Sequence, residues 1–213
     1  MDFIPFNPWE HVEIYEGNLP HWQQRGCTHF VTWRTEDSIP AAFLRQWSQA
    51  RDIWLRVHEV TPETLERLPP EKLMEYHSRF TTTFHNELDR GHGACLLRKP
   101  AVRKITEQAL LFFDGERYEM GNFVLMPNHV HFLVRLREGI TSKEQCFSWK
   151  RFTSGEINKL AGRRGVFWQS ESYDHIVRSL EALGTIQNYI ANNPVKAGLR
   201  EGEYTLYQPA GWM

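Results

Sequence analysis

The chain has 213 residues, 41% hydrophobic and 24% charged, enough to bury the core of one globular domain. No apolar run approaches the roughly 18 residues of a membrane span, and the opening Met-Asp-Phe-Ile-Pro-Phe has neither the basic nor the apolar region of a signal peptide. Cys27, Cys95 and Cys146 are odd in number and form no C-x-x-C pair, so a disulfide framework or structural zinc is not expected and a reducing cytoplasm fits.

Residues 1–26, with Pro5, Pro8, Gly17 and Pro20, read as an extended arm. Cys27 to Arg34 (CTHFVTWR) is β-branched and aromatic and predicts a strand. Ser38-Ile39-Pro40 predicts a helix start, with Ser38 as cap and apolar positions from Phe43 to Val57 at helical spacing, ending near Glu59. Pro62, Pro69 and Pro70 break the next stretch, Glu71 to Asp89 suits a helix, and Gly91-His92-Gly93 suits a turn. Lys99 to Phe113 predicts a helix opened by Pro100.

Arg117 to Met120 and Asn122 to Leu136 read as strand, the latter apolar on both faces as in a central strand. Ser142 to Leu160 predicts a helix ending near Gly162, and Val166 to Val177 a strand region interrupted near Glu171. Ser179 to Asn192 predicts a helix capped by Ser179 and stopped by Pro194, and the chain from Gly198 onward reads as a tail. This order implies an α+β sandwich with helices packed on one sheet.

Two places carry candidate chemistry. In Met126-Pro127-Asn128-His129-Val130-His131 the histidines stand two apart, so a strand presents both imidazoles on one face. Such a pair suits a divalent cation with positions left for substrate oxygens, or it is simply two packed histidines. In Tyr189-Ile190-Ala191-Asn192-Asn193-Pro194, Tyr189 and Asn193 share a helix face. A phenol can serve as a nucleophile where a metal polarises the phosphate it attacks, or pack in a core as an ordinary aromatic.

The net charge of −1 does not advertise a nucleic-acid binder, but residues 121–213 carry 11 Lys/Arg against 8 Asp/Glu. Lys150, Arg151, Arg163, Arg164, Arg178 and Lys196 are candidate phosphate contacts, and Trp168 or Phe167 a candidate base-stacking residue. The alternative for the charges is a solvated helix face, and for Trp168 core packing. Asn128 is read as orienting its loop, and His85 and His92 as surface or loop residues.

Asn122 to Leu136 (NFVLMPNHVHFLVRL) and Tyr189 to Leu199 (YIANNPVKAGL) resemble the two signature blocks of the REP-associated tyrosine transposases, within the His-hydrophobic-His superfamily. Leu19 to Trp22, His29 to Arg34, Leu110 to Tyr118, Trp149 to Ser154 and Gly165 to Ser170 follow the family's order, so the resemblance spans about residues 19 to 200. It implies a ferredoxin-like α+β fold with an antiparallel sheet. It also implies His129, His131 and Asn193 as ligands of Mg²⁺ or Mn²⁺, and Tyr189 as a nucleophile that forms a 5′-phosphotyrosine link and leaves a 3′-hydroxyl able to reverse the step. The implied partner is single-stranded or hairpin DNA at repetitive palindromes, acted on by a monomer or homodimer in the bacterial cytoplasm, associated with the nucleoid and not with a membrane. The implied division is an arm (1–26), one catalytic domain (27–200) and a tail (201–213). Residues 61–97 have no counterpart in the family pattern and read as an insertion without assigned function.

Two rivals remain. A histidine-triad nucleotide hydrolase would need a histidine where the chain has Leu133. A DNA- or hairpin-binding protein that has lost catalysis would keep the fold, although Tyr189, His129, His131 and Asn193 are all present here.

Overall fold

A five-stranded antiparallel sheet organises the computed structural model, which describes residues 3–212 apart from 8, 16–20, 66 and 67. A short ribbon of β1 (Glu13–Tyr15) and β2 (His21–Gln23) precedes β3 (Thr28–Arg34), followed by α1 (Ala41–Val57), α2 (Pro62–Leu65) and α3 (Pro70–Tyr76). A π-helical turn, His77–Thr81, joins α3 directly to α4 (Thr82–Asp89). Then come α5 (Pro100–Leu111), β4 (Tyr118–Leu125), β5 (His129–Leu136), α6 (Ser142–Ala161), β6 (Tyr173–Ile176), α7 (Leu180–Lys196) and β7 (Thr205–Tyr207). The sheet order is β6-β3-β5-β4-β7. The expected α+β class, with helices packed on an antiparallel sheet, is what forms.

Strand β5 is central, and its period of two divides its side chains between two cores. Val130, Phe132 and Val134 join Val31 and Trp33 of β3 in the larger core, closed by Leu110 of α5 and Trp149 and Ile157 of α6. Leu133 joins Phe30 and Val124 on the other face, closed by Leu183 and Ile190 of α7. His129 and His131 share that second face. The register pairs Thr32 with His131 and Arg34 with His129. A third cluster, Trp54, Leu65, Tyr76 and Phe80, holds α1 to α3 and the π turn together. Burying each such large side chain contributes roughly 1.5–3 kcal/mol.

Four details differ from the sequence reading. Ser38 does not cap α1: its hydroxyl donates to the Thr35 carbonyl at 2.7 Å, and Pro40 holds the cap position without a side-chain bond. Pro194 does not stop α7, which runs to Lys196; the ring is buried against neighbours, and Ala197 N–H still bonds the Asn193 carbonyl at 3.0 Å. The segment after Gly198 is not a free tail, because β7 pairs with β4 and Trp212 lies against Gly121. His85 is buried, not superficial. Pro8, Gly17, Leu19 and Pro20 lie outside the described residues. No described helix is long and apolar enough to cross a membrane.

Candidate active site

The Pro127-Asn128 break before β5 turns the chain so that Asn128 and both histidines are fully buried. Asn128 Oδ1 accepts from His129 Nδ1 at 2.7 Å, while Asn128 Nδ2 donates to the carbonyls of Leu88 (3.3 Å) and His92 (3.1 Å). One amide thus orients the imidazole and ties the end of α4 to the start of β5. Expected to orient its loop, Asn128 orients the first histidine as well. The bond at Nδ1 leaves His129 Nε2 with its lone pair, and that atom is buried without a hydrogen-bond partner. His131 is held the same way: Nδ1 meets Thr32 Oγ1 at 2.8 Å, and Nε2 meets the Tyr189 hydroxyl at 3.1 Å.

Helix α4 supplies what the sequence reading missed. His85 and Asp89 are four apart and share a helix face. The π turn upstream sets that face, since one residue more or less rotates a helix by about 100°. Asp89 Oδ1 lies 3.7 Å from His129 Nε2, and single atoms of Asp89, His129 and His131 all fall within 4.8 Å of one another. His85 stacks on Tyr189, with ring centroids 5.9 Å apart, and meets His131 edge-on at 5.3 Å. The sequence signal was available in the His85-x-x-x-Asp89 spacing within a predicted helix, but nothing local places that helix beside β5.

Asn193, expected as the third ligand, stands in a different relation to the site. It is 1% exposed, its Nδ2 donates to Asp89 Oδ1 at 3.2 Å, and its Oδ1 is buried without a partner. The carboxylate stands with the histidines and the amide braces it. Lys196, one turn further along α7, reaches Asp89 Oδ2 at 3.0 Å and Asn86 Oδ1 at 2.7 Å from the solvent side.

Burial dominates the electrostatics. It pushes His129 down to about 3 and His85 down to about 4, and the charge of His129 adds to the effect on His85. His131 falls well below its ordinary value by burial, then by the neighbouring His129 and His85. All three imidazoles are therefore neutral near pH 7, the form that ligates metals. Burial, then Asp89, raises the Tyr189 phenol, so without a cation the side chain is a neutral O–H. The donor set fits a divalent cation: two neutral imidazole nitrogens and one carboxylate, with the buried Asn193 Oδ1, which otherwise lacks a partner, beside them.

The predicted DNA contacts separate into groups. Lys150 is buried, its ammonium donating to the carbonyls of Gln169, Ser170 and Glu171 at 3.0 Å and to Ser172 Oγ at 2.8 Å. Trp168 is 3% exposed, with its indole N–H on Thr153 Oγ1 at 2.8 Å, and Phe167 is buried beside it. These three are core residues, because their polar atoms and faces are already satisfied inside the fold. Arg151, Arg163 and Arg164 are exposed, but α6 covers the sheet face opposite the histidines. The Arg178 guanidinium lies 4.9 Å over the Phe6 ring. Lys196 alone of the eight borders the site.

No protein-family model matches the sequence. A curated but uncharacterised protein of Haemophilus influenzae is 27% identical over 115 aligned residues, covering 44% of this chain and 63% of the relative, so the chain spans just under two thirds of that protein. Among solved structures, the chain is similar to a REP-associated tyrosine transposase bound to a REP hairpin, at 15% identity and a TM-score of 0.46, covering 85% of this chain and 74% of that one.

Proposed function

We propose that the chain is a metal-dependent nuclease of the REP-associated tyrosine transposase kind, which nicks and rejoins single-stranded DNA beside a hairpin through a covalent link to Tyr189. The observation that carries this reading is the single cluster formed by Tyr189, His131, His129 and Asp89. The phenol lies 3.1 Å from a nitrogen of a three-residue set suited to a divalent cation. The two sequence blocks quoted above support the substrate class.

Asp89, His129 and His131 would hold Mg²⁺ or Mn²⁺, with Asn193 bracing the carboxylate and offering Oδ1 as a further donor. The ion would polarise the scissile phosphate and offset charge on the leaving 3′ oxygen. Tyr189 is the nucleophile: its oxygen bonds to phosphorus, the bond from phosphorus to the 3′ oxygen breaks, and the proton lost by the phenol is balanced by the one gained by the departing 3′ oxygen. His85, stacked on the phenol with a buried Nε2 that has no partner, restricts its rotation and shields it from water. Lys196 draws the phosphate backbone in from the open side, while Arg151, Arg163 and Arg164 are available only to flanking DNA. Because Tyr189 meets His131 of its own chain, a monomer suffices.

The test is a nicking assay on hairpin oligonucleotides with single-stranded flanks, in Mn²⁺ or EDTA. The expected result is a metal-dependent nick with DNA bound covalently to the wild type and not to Tyr189→Phe. Cleavage that survives Tyr189→Phe would make water the nucleophile and overturn the assignment. Tight hairpin binding with no nick under any metal would favour a catalytically silent binding protein.

A further inference from the structure

On the far side of His85 from the ligand set lies a separate cavity of about 410 Å³. Its walls include Arg34, Trp47, Arg51, Phe84, His85 and Tyr173. Thr32 also lines it, and the same hydroxyl holds His131 Nδ1 at 2.8 Å, so cavity and ligand set share a wall one side chain thick. We propose that this cavity receives one unpaired nucleobase of the DNA strand, next to the scissile phosphate, with the adjoining backbone phosphate on Arg34 and Arg51. The proposal rests on the nuclease reading for its choice of strand, but the cavity's affinity for nucleotides is independent of it.

Three observations select a nucleotide. The volume lies within the roughly 300–1,000 Å³ of small-ligand sites. The aromatic rings offer faces rather than polar edges, since the Trp47 indole N–H is already committed to the Phe80 carbonyl at 3.1 Å. The cations sit over those faces: Arg51 is 5.0 Å from the Trp47 ring centre and Arg34 5.8 Å from that of Phe84. Among the described residues Arg34 forms no ion pair, its guanidinium reaching only Ser38 Oγ at 3.4 Å, which leaves donors for a phosphate.

A purely apolar ligand would leave Arg34 without use and Arg51 with only its neighbour Asp52, 3.1 Å away, and a bare phosphate would leave the rings without use. Stacking surfaces interleaved with arginine are the means by which proteins hold unpaired bases. Helix α1 and the α3–α4 helix contribute Trp47, Arg51 and Phe84, so the segment between β3 and β4 builds both this cavity and the Asp89 corner of the site.

The test titrates the whole chain with each of the four deoxynucleoside monophosphates in EDTA, followed by saturation-transfer NMR and calorimetry. At least one is expected to bind. Arg51→Ala and Phe84→Leu, each confirmed as folded by circular dichroism, are expected to weaken it roughly tenfold. Arg45→Ala, an exposed arginine of the same helix outside the cavity, should leave it unchanged. Absence of binding by all four, or binding indifferent to both cavity variants, overturns the proposal. An abasic scan then locates the nucleotide: one abasic position beside the nick slows wild-type cleavage about tenfold and adds no further loss in Phe84→Leu. Nucleotide binding that is lost in the variants, with no covalent adduct at Tyr189, keeps the cavity and overturns only the nuclease reading.

Discussion

The Tyr189 hydroxyl lies 3.1 Å from His131 Nε2, the nitrogen that Thr32 leaves free by holding Nδ1. With Nδ1–H given to Thr32, the phenol donates to Nε2 and competes with any cation for that lone pair. Replacing it removes the competitor without removing a ligand. Tyr189→Phe is therefore expected to bind Mn²⁺ as tightly as wild type or up to about tenfold tighter, the worth of one neutral hydrogen bond, while forming no DNA adduct. Calorimetric titration with Mn²⁺ reads the affinity, and a large loss would make Tyr189 a ligand rather than a nucleophile.

Asp89 is the only carboxylate among the described residues that joins the histidine pair, and it is braced by Asn193 and Lys196. Asp89→Asn keeps shape and hydrogen bonding but removes the charge. Mn²⁺ affinity should fall by at least tenfold. Asn128→Ala should cost about 10- to 100-fold in affinity through the freed His129 ring. It should also lower stability by about 1–3 kcal/mol, because buried carbonyls of Leu88 and His92 lose their donor. Unchanged Mn²⁺ titrations in both variants would place the cation elsewhere.

How much of this was legible follows from which forces act locally. His129 and His131 were readable because strand alternation fixes their common face, and Tyr189 with Asn193 because four residues span one helical turn. Asp89 was not, since its position depends on the π turn at His77–Thr81 and on Asn128 docking α4 against β5, both long-range outcomes. Thr205–Tyr207 is too short for a strand signal, and its place is set by the free edge of β4. Lys150 read as surface charge because a run of basic residues carries no mark of the three carbonyls that fold back over one of them.

Lys150 is pulled down to about 8 by burial, and its ammonium satisfies three backbone carbonyls and one hydroxyl. Lys150→Met should therefore lower stability by roughly 1–3 kcal/mol in denaturant unfolding. It should leave hairpin affinity at matched folded concentration unchanged. Arg151→Met, exposed on the same helix, should leave stability within about 0.5 kcal/mol. A stable Lys150→Met with weakened DNA binding would return Lys150 to the phosphate surface.

A Cβ on Gly121 would lie 2.6 Å from the Trp212 ring, which packs with Leu206 and Tyr204 on the same core as α7. Gly121→Ala should cost about 1–3 kcal/mol by overpacking. Trp212→Ala in the same chain should recover part of that loss, a coupling that a double-mutant cycle measures. Additive losses would mean that the C-terminal segment does not press on β4 in solution.

The buried histidines fix how stability depends on acidity. His85 is lowered to about 4, and His129 and the half-buried His175 to about 3, in each case by burial first; His29 and His131 are lowered as well. A histidine lowered on folding takes up its proton in the unfolded chain first, so stability is fully present above the unfolded value near 6.5 and declines as pH falls toward the folded values. Each such group contributes a slope of about 1.4 kcal/mol per pH unit in that window. Several acting together should unfold the apoprotein cooperatively between about pH 6.5 and 4. Denaturant midpoints measured from pH 8 to 4 test this, with the steep fall expected below pH 6.5 and a flat response above it. Mn²⁺ should shift the fall to lower pH by binding the neutral histidines, and a midpoint insensitive to acid down to pH 4 would mean that these side chains are exposed in solution.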